Sequence, residues 1–501
     1  MALFSQFESL NIRDKHENED WRALQSSCKA FSDWGAGKLR QLMGGTVKCV
    51  VNEPHYVCKD HRNLYTNFYS KKHGEVSKYT SRFHFFNIPD VSVSDLIQNP
   101  ETYKDKYIGY SVIRPVPERC LGRTVIDPLR LVKFQSKTLY CLRTGFNTHI
   151  GGQHFVAYGY PYISQDVDVT RCAHTALWGV CRYLSEKYSV YGELYPFDLI
   201  ELTGSNNGRT FPNRGMTYED YSNILTKFGA YPWIMRIQKP DQSNPSLWAF
   251  NDDEYLDLCT YVESGFPVLA SLSGHVVTLV GHTIDYSQSP QADSSGFIYS
   301  SSFYKQFIVV DDNFAPYQLL GGETDLENYG KNYANSGIGG PQGISMKSIV
   351  TAVCPLPEKV FLTANKVRTV ARSLFNAYKA RIGSGSEPIV LRLFLTTSTS
   401  FQERKGEQTI DNGKVDMLNY SVTQMKLPHF IWVTEASPLS LYLQGRCTSE
   451  IVIDPTSNPN EDIVIYMRLR DAVIIDGTEY QVDDASTEIP QYIHNLGIGA
   501  A

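Results

Sequence analysis

No run of 18 apolar residues occurs in the chain, the minimum for a helix that crosses a bilayer. The first residues, MALFSQFESLNIRDKHENEDW, lack the basic and apolar stretches of a secretory signal. Positive charge is not in excess: 47 Lys and Arg stand against 53 Asp and Glu, a net charge of −6, which argues against a general nucleic-acid or membrane-surface binder. Tight cysteine spacing is also missing. The ten cysteines, at 28, 49, 58, 120, 141, 172, 181, 259, 354 and 447, fit reduced thiols in a cytoplasm better than a disulfide framework. Cys49, His55, Cys58 and His61 invite a zinc site, but no second pair follows at a zinc-like spacing, so no metal and no cofactor are expected. The segment 113–128 (IRPVPERCLGRTVIDP) has turn residues without phosphate-loop spacing. Nor is there an internal repeat or a long Pro/Gly/Ser linker, so the parts are expected to pack as one body.

What remains is an ordinary globular composition: 42% hydrophobic, 20% charged and a somewhat high 12% aromatic. A chain of 501 residues can hold two to four domains. Four regions are expected. Residues 1–45 form an acidic, helical N-terminal segment. Residues 46–150 form a β-rich subdomain, with short runs such as TVKCVVNE, FHFFNI, YIGYSVIRPV and LVKFQ between turns. A core spans 151–353. Residues 354–501 open with an amphipathic helix at 364–381 and continue mostly as strands, LSLYLQGR among them. Their last fifty residues are acidic, with nine Asp or Glu between Asp454 and Glu488 against Arg468 and Arg470. Basic residues interleaved with aromatics between Tyr56 and Phe86 read as a solvated edge over a buried aromatic face rather than a single-strand binding surface.

The core carries the chemistry. From Cys172, apolar residues at 176, 177, 180, 181, 184 and 188 recur at helical spacing, which puts Cys172 in the first turn of an amphipathic helix. Unpaired N–H groups and the partial positive charge there stabilise a thiolate. Gln165, in the polar lead-in, is placed to join the Cys172 N–H as an oxyanion donor. Downstream, a helix at 253–264 ends at Gly265, a strand VLASL follows, and after a Ser-Gly turn His275 opens a second apolar strand. A third apolar strand ends in Asp311, Asp312 and Asn313. An acid there would orient the imidazole of a Cys-His-Asp set. Strand alternation puts the two aspartates on opposite faces; Asp312 is slightly preferred. His174 and His282 are set aside, the first by helical phase and the second by strand parity.

Together these segments resemble a papain-like cysteine peptidase core over residues 158–320. They are most similar to the bacterial peptidases that process double-glycine leaders. The matching elements are Gln165 before Cys172, the helix Cys172 opens, the segment 214–230 (RGMTYEDYSNILTKFGA), the pair SGFPVLASLSGHVVTLVG and the strand end VVDDN. The resemblance implies an α+β fold in which Cys172 is the nucleophile, His275 the general base, Asp311 or Asp312 the orienting acid and Gln165 the oxyanion donor. It implies hydrolysis of a peptide, amide or isopeptide bond in a protein or peptide substrate through a thioester. The flanking segments resemble those of bacterial proteins built around this core. Two departures stand out: the long stretch 283–305 between the His and Asp strands, where a tight hairpin is usual, and Asn313 where proline is common. Two alternatives accompany the hydrolase. One is a transglutaminase- or acyltransferase-like enzyme that passes the acyl group to an amine. The other is a catalytically silent papain-like scaffold whose β-rich flanks bind a protein partner in a bacterial assembly.

Overall fold

The computed structural model describes residues 7–166, 168–203, 216–240, 248–383, 386–408, 410–411, 414–458, 462–481, 488–493 and 495–499. The chain is a mixture of helices and antiparallel sheets. The N-terminal sheet runs in chain order from β1 (Glu8–Asn11) through β2 (Cys49–Tyr56), β3 (Thr80–Phe86) and β4 (Tyr107–Ile113) to β5 (Leu121–Ile126). Between its first two strands lies helix α1 (Asp33–Met43), whose buried Leu39, Leu42 and Met43 join the core beneath the sheet.

The central sheet has the order β11-β10-β9-β8-β12-β7. Its strands are β7 (Ala230–Arg236), β8 (Val268–Leu272), β9 (His275–Ile284), β10 (Tyr304–Val310), β11 (Gln318–Leu320) and β12 (Thr351–Pro357). An earlier strand, β6 (Thr138–Cys141), pairs with the far half of β9 and with Gly497–Gly499 near the C-terminus. Every pairing in this sheet is antiparallel. Helix α2 (Cys172–Lys187) lies against the sheet with Leu177, Val180, Cys181 and Leu184 fully buried, the face its apolar spacing predicts. Close contact is possible because position 179 is glycine: a Cβ there would sit 3.0 Å from the Tyr160 hydroxyl. Helix α3 (Tyr218–Phe228) begins with a reciprocal cap. The Thr217 hydroxyl accepts from the Asp220 N–H at 3.3 Å while the Asp220 carboxylate accepts from the Thr217 N–H at 2.8 Å. Arg214 and Gly215, at the start of the segment read from sequence, lie outside the described residues.

On the other side of the central sheet, α4 (Asp252–Glu263) and α5 (Ala364–Ala377) pack between it and a C-terminal sheet. That sheet comprises β13 (Ile389–Thr397), β14 (Phe430–Pro438), β15 (Ser449–Ile453), β16 (Val464–Arg468), β17 (Ala472–Ile475) and β18 (Thr478–Gln481). The stretch 283–305 supplies its outermost strand: Phe297–Tyr299 pairs in parallel with Ile389–Leu391. The stretch thus ties the core to the C-terminal region. A buried ionic cluster seals the same junction. Glu263 of α4 accepts from Arg392 at 2.7 Å, His282 at 2.7 Å and Tyr304 at 2.8 Å, and Arg392 also reaches Glu435 at 2.9 Å.

Several expectations change. Pairing crosses the boundaries drawn at 45 and 150: β1 joins β2, and β6 joins the central sheet. LSLYLQGR is not a strand; after Pro438 it coils into Leu439–Tyr442 and a turn. LVKFQ is a 3-10 turn, Val132–Phe134. Helices Ser398–Glu407 and Met417–Gln424 interrupt a region read as strands. The basic and aromatic stretch is partly internal, with Arg82 buried on the Tyr56 ring and bonded to Glu53 at 2.7 Å. No helix among the described residues is long and apolar enough to cross a membrane.

The His strand requires one glycine. A Cβ on Gly281 would collide with the Tyr140 carbonyl of β6, which bonds across the strand at that point. Gly281→Ala is expected to destabilise the protein by on the order of 1–3 kcal/mol, the usual cost of overpacking. Chemical denaturation of the full chain measures this; an unchanged midpoint would mean that β6 yields freely.

Candidate active site

Cys172 is the first residue of α2 and the only cysteine of the ten that is not buried. Arg171 before it is extended, and the first-turn N–H groups at 172 and 173 have no carbonyl one turn back to bond. The thiol opens into a cleft of about 1000 Å³. Its walls come from α2, the start of α3 (Met216, Tyr218), the turn between β8 and β9, and Ile338.

His275 reaches the same cleft from the first position of β9 and is 4% exposed. Its Nε2 lies 3.0 Å from Asp311 Oδ1 and 3.2 Å from the Tyr333 hydroxyl. The Cys172 side chain lines the same cleft. With Nε2 committed to Asp311, the nitrogen left for the thiol is Nδ1. Burial disfavours the imidazolium, but the charge and hydrogen bond of Asp311, the Cys172 side chain and the charge of Asp312 outweigh it and raise the His275 pKa to about 11. A proton passed to this ring from the thiol is therefore retained through the neutral range.

The acid at His275 is Asp311, which corrects the slight preference for Asp312. Strand β10 ends at Val310, and the turn that follows aims residue 311 at the imidazole and residue 312 into the interior. Asp311 is saturated. Oδ1 faces His275 and accepts from the Asn313 N–H at 3.0 Å, while Oδ2 accepts from the hydroxyls of Tyr329 at 3.0 Å and Tyr333 at 2.7 Å. Burial alone would favour its neutral form. The His275 charge and hydrogen bond, with help from Tyr333 and the Asn313 N–H, hold it below the usual carboxylate range instead. Asp312 has neither side-chain oxygen bonded. Burial, and then the charge of Asp311, push its pKa up to about 7.

Gln165 lines the cleft beside Cys172, and its Nε2 donates to Asn313 Oδ1 at 3.2 Å. Asn313 in turn donates through Nδ2 to the Tyr333 hydroxyl at 3.3 Å. A polar chain thus runs from Gln165 through Asn313 and Tyr333 to Asp311 and His275. Proline at 313 would remove the N–H that Asp311 accepts, so the asparagine has a local role.

Tyr329 and Tyr333 were not identified from sequence, where Asn313 stood out only as a departure from proline. The two tyrosines stand on one 3-10 turn, Tyr329–Tyr333, and pack edge-on against Phe314 with ring centroids 5.3 and 5.2 Å away. The ammonium of Lys38 on α1 covers Phe314 at 4.5 Å, so the N-terminal region buttresses the acid.

Other candidates lie elsewhere. His174 is buried on α2, where burial lowers its pKa to about 4. His282 is stacked on Tyr304, 3.7 Å between ring centroids, within the Glu263 cluster. His61 bonds the Ser77 carbonyl at 2.8 Å and His55 packs against Tyr79, so they serve other contacts than a shared zinc site. Among the described residues, the set with ligand atoms close enough to hold a cation is His275, Asp311 and Asp312, within 4.8 Å of one another. The set fits poorly: a cation on Asp311 would have to displace hydrogen bonds that already occupy both its oxygens.

Comparison of the chain with protein families, with curated proteins and with solved structures finds no match.

Proposed function

We propose that the protein is a cysteine peptidase-like hydrolase built on a papain-like core. The observation that carries this reading is the line Cys172–His275–Asp311 at the edge of one open cleft. In the proposed reaction the proton that Cys172 and His275 share rests on the imidazole, and the thiolate attacks a peptide, amide or isopeptide carbonyl. The oxyanion accepts from the Cys172 N–H and from the second N–H of the Gln165 amide. Collapse breaks the C–N bond, and the amine leaves with the proton from His275, giving a thioester. Water, deprotonated by the neutral His275, attacks the thioester; release of the acid restores the thiol. Asp311 keeps the imidazole oriented and stabilises its charged form throughout.

An electrophilic probe with an acyl-like warhead, applied to the purified protein, tests the reading. A covalent adduct at Cys172 together with cleavage of a trapped cellular substrate supports it. An adduct that forms at the rate of an ordinary exposed thiol, with no substrate turned over, removes it. Products formed with a primary amine present separate hydrolysis from acyl transfer.

Gln165→Ala is expected to lower kcat by on the order of 10²–10³-fold, with KM little changed, because the lost bond is to charge that exists only in the transition state. Steady-state kinetics check this. A rise in KM alone would place Gln165 in substrate binding instead.

A further inference from the structure

Beside the nucleophile lies a small cavity of about 10 Å³. Its lining includes Cys172 and Thr175 of α2, Thr278 of β9, Asp312, Tyr160 and Tyr162. Three of these groups are buried with unsatisfied polar atoms: both oxygens of Asp312, the Thr278 hydroxyl and the Tyr160 hydroxyl. Thr278 lies beside Tyr160 without a well-formed hydrogen bond to it. Buried polar groups are almost always paired, and a void of this size has room for a single water. Asp312 is 5% exposed and sits next to an acid already charged by its pairing with His275.

We propose that Asp312 is a positioning residue that holds its proton beside the nucleophile, its carboxyl bonded to one water shared with Thr278 and Tyr160. The inference deepens the hydrolase reading and rests on it for its meaning. A neutral Asp312 keeps a single negative charge behind His275, so the site carries one thiolate, one imidazolium and one carboxylate. Ionised, Asp312 would add a second negative charge near Cys172 and oppose thiolate formation. The groups facing it are Asp311 beside it, His275 of β9, Cys172 of α2, Arg119 before β5, Tyr162, and Tyr329 and Tyr333 of the 3-10 turn. The charge of His275 and then that of Arg119 favour the charged form, and burial with Asp311 outweighs them.

Two measurements on the full chain test this, with Asp312→Asn as the variant. The first is an infrared difference spectrum, wild type minus variant, in the carbonyl region. A protonated-acid band near neutral pH that fades as pH rises is expected; its absence across the range overturns the proposal. The second is the pH profile of Cys172 alkylation. Wild type is expected to show an inflection near neutral that the variant loses, while the acid limbs coincide, since Asp312 is neutral there. Superimposable profiles overturn the positioning role. If Cys172 reacts as an ordinary thiol in both proteins, the hydrolase reading fails, and the infrared band still decides whether Asp312 keeps its proton. A folding readout accompanies both. An acid whose pKa is higher folded than unfolded loses its stabilising contribution as pH rises from the unfolded to the folded value. The variant does not titrate, so its Tm is expected to exceed that of wild type near neutral pH, with the gap closing as pH falls. A Tm gap independent of pH counts against a proton held in the folded state.

Discussion

Cys172→Ala is expected to reduce hydrolysis to background while the Tm stays close to wild type. The thiol is partly exposed at the start of a helix, so its loss removes little packing. Alanine is also a better helix former than cysteine, and the first turn should persist. His275 would lose its thiol partner but keep its bond to Asp311, so its orientation survives. The chemistry, by contrast, has no substitute. The other nine cysteines are buried, and burial raises the pKa of Cys181, on the same helix, above its ordinary value. A variant that folds, binds substrate and does not turn over is the expected outcome of a turnover assay paired with a thermal melt. Residual cleavage at the wild-type rate would remove Cys172 from the reaction.

Asp311→Asn is expected to lower kcat by on the order of 10²–10⁴-fold, the range of a general acid–base contribution. Asp312→Asn should cost far less. The asymmetry follows from geometry, since Asp311 holds the imidazole at 3.0 Å while Asp312 faces the interior cavity. The amide keeps the size of the carboxyl and loses its charge, so it no longer holds the His275 proton. The sign of the pH effect is fixed by that loss. His275 has a raised pKa in the folded protein, so its pairing with Asp311 stabilises the fold fully below the unfolded histidine value and fades as pH rises towards about 11. Asp311 has a lowered pKa, so its share is present above the unfolded carboxylate value and is lost as pH falls through the folded one. Across neutral pH both shares hold, and the variant is expected to be less stable there. Its alkaline activity limb should also move to lower pH. Equal, small effects of both substitutions on kcat would take the acid out of the mechanism.

Much of the site was legible because it rests on local periodicity. The apolar spacing after Cys172 gives the helix, VLASL coincides with Val268–Leu272, and the Ser-Gly turn places His275 at a strand start. Alternation separates Asp311 from Asp312 but cannot choose between them, because the strand stops one residue earlier and a turn sets the side-chain directions beyond it. Tyr329 and Tyr333 reach the acid from a separate turn, and no local pattern announces a contact of that kind. The stretch 283–305 read only as an insertion. Its role appears once Phe297–Tyr299 pairs with a strand about ninety residues later in the chain. LSLYLQGR illustrates the opposite failure, an alternating apolar pattern overridden by the backbone after Pro438.

The central claim is that Cys172 and His275 act as a pair, and exposure alone would also make Cys172 the first cysteine to be labelled. The direct test is therefore the alkylation rate of Cys172 at mildly acidic pH in wild type and in His275→Ala, with the labelled residue identified by mass. Fast labelling in wild type that falls to the rate of an ordinary exposed thiol in the variant is the expected result. Equal rates in the two proteins would contradict the account.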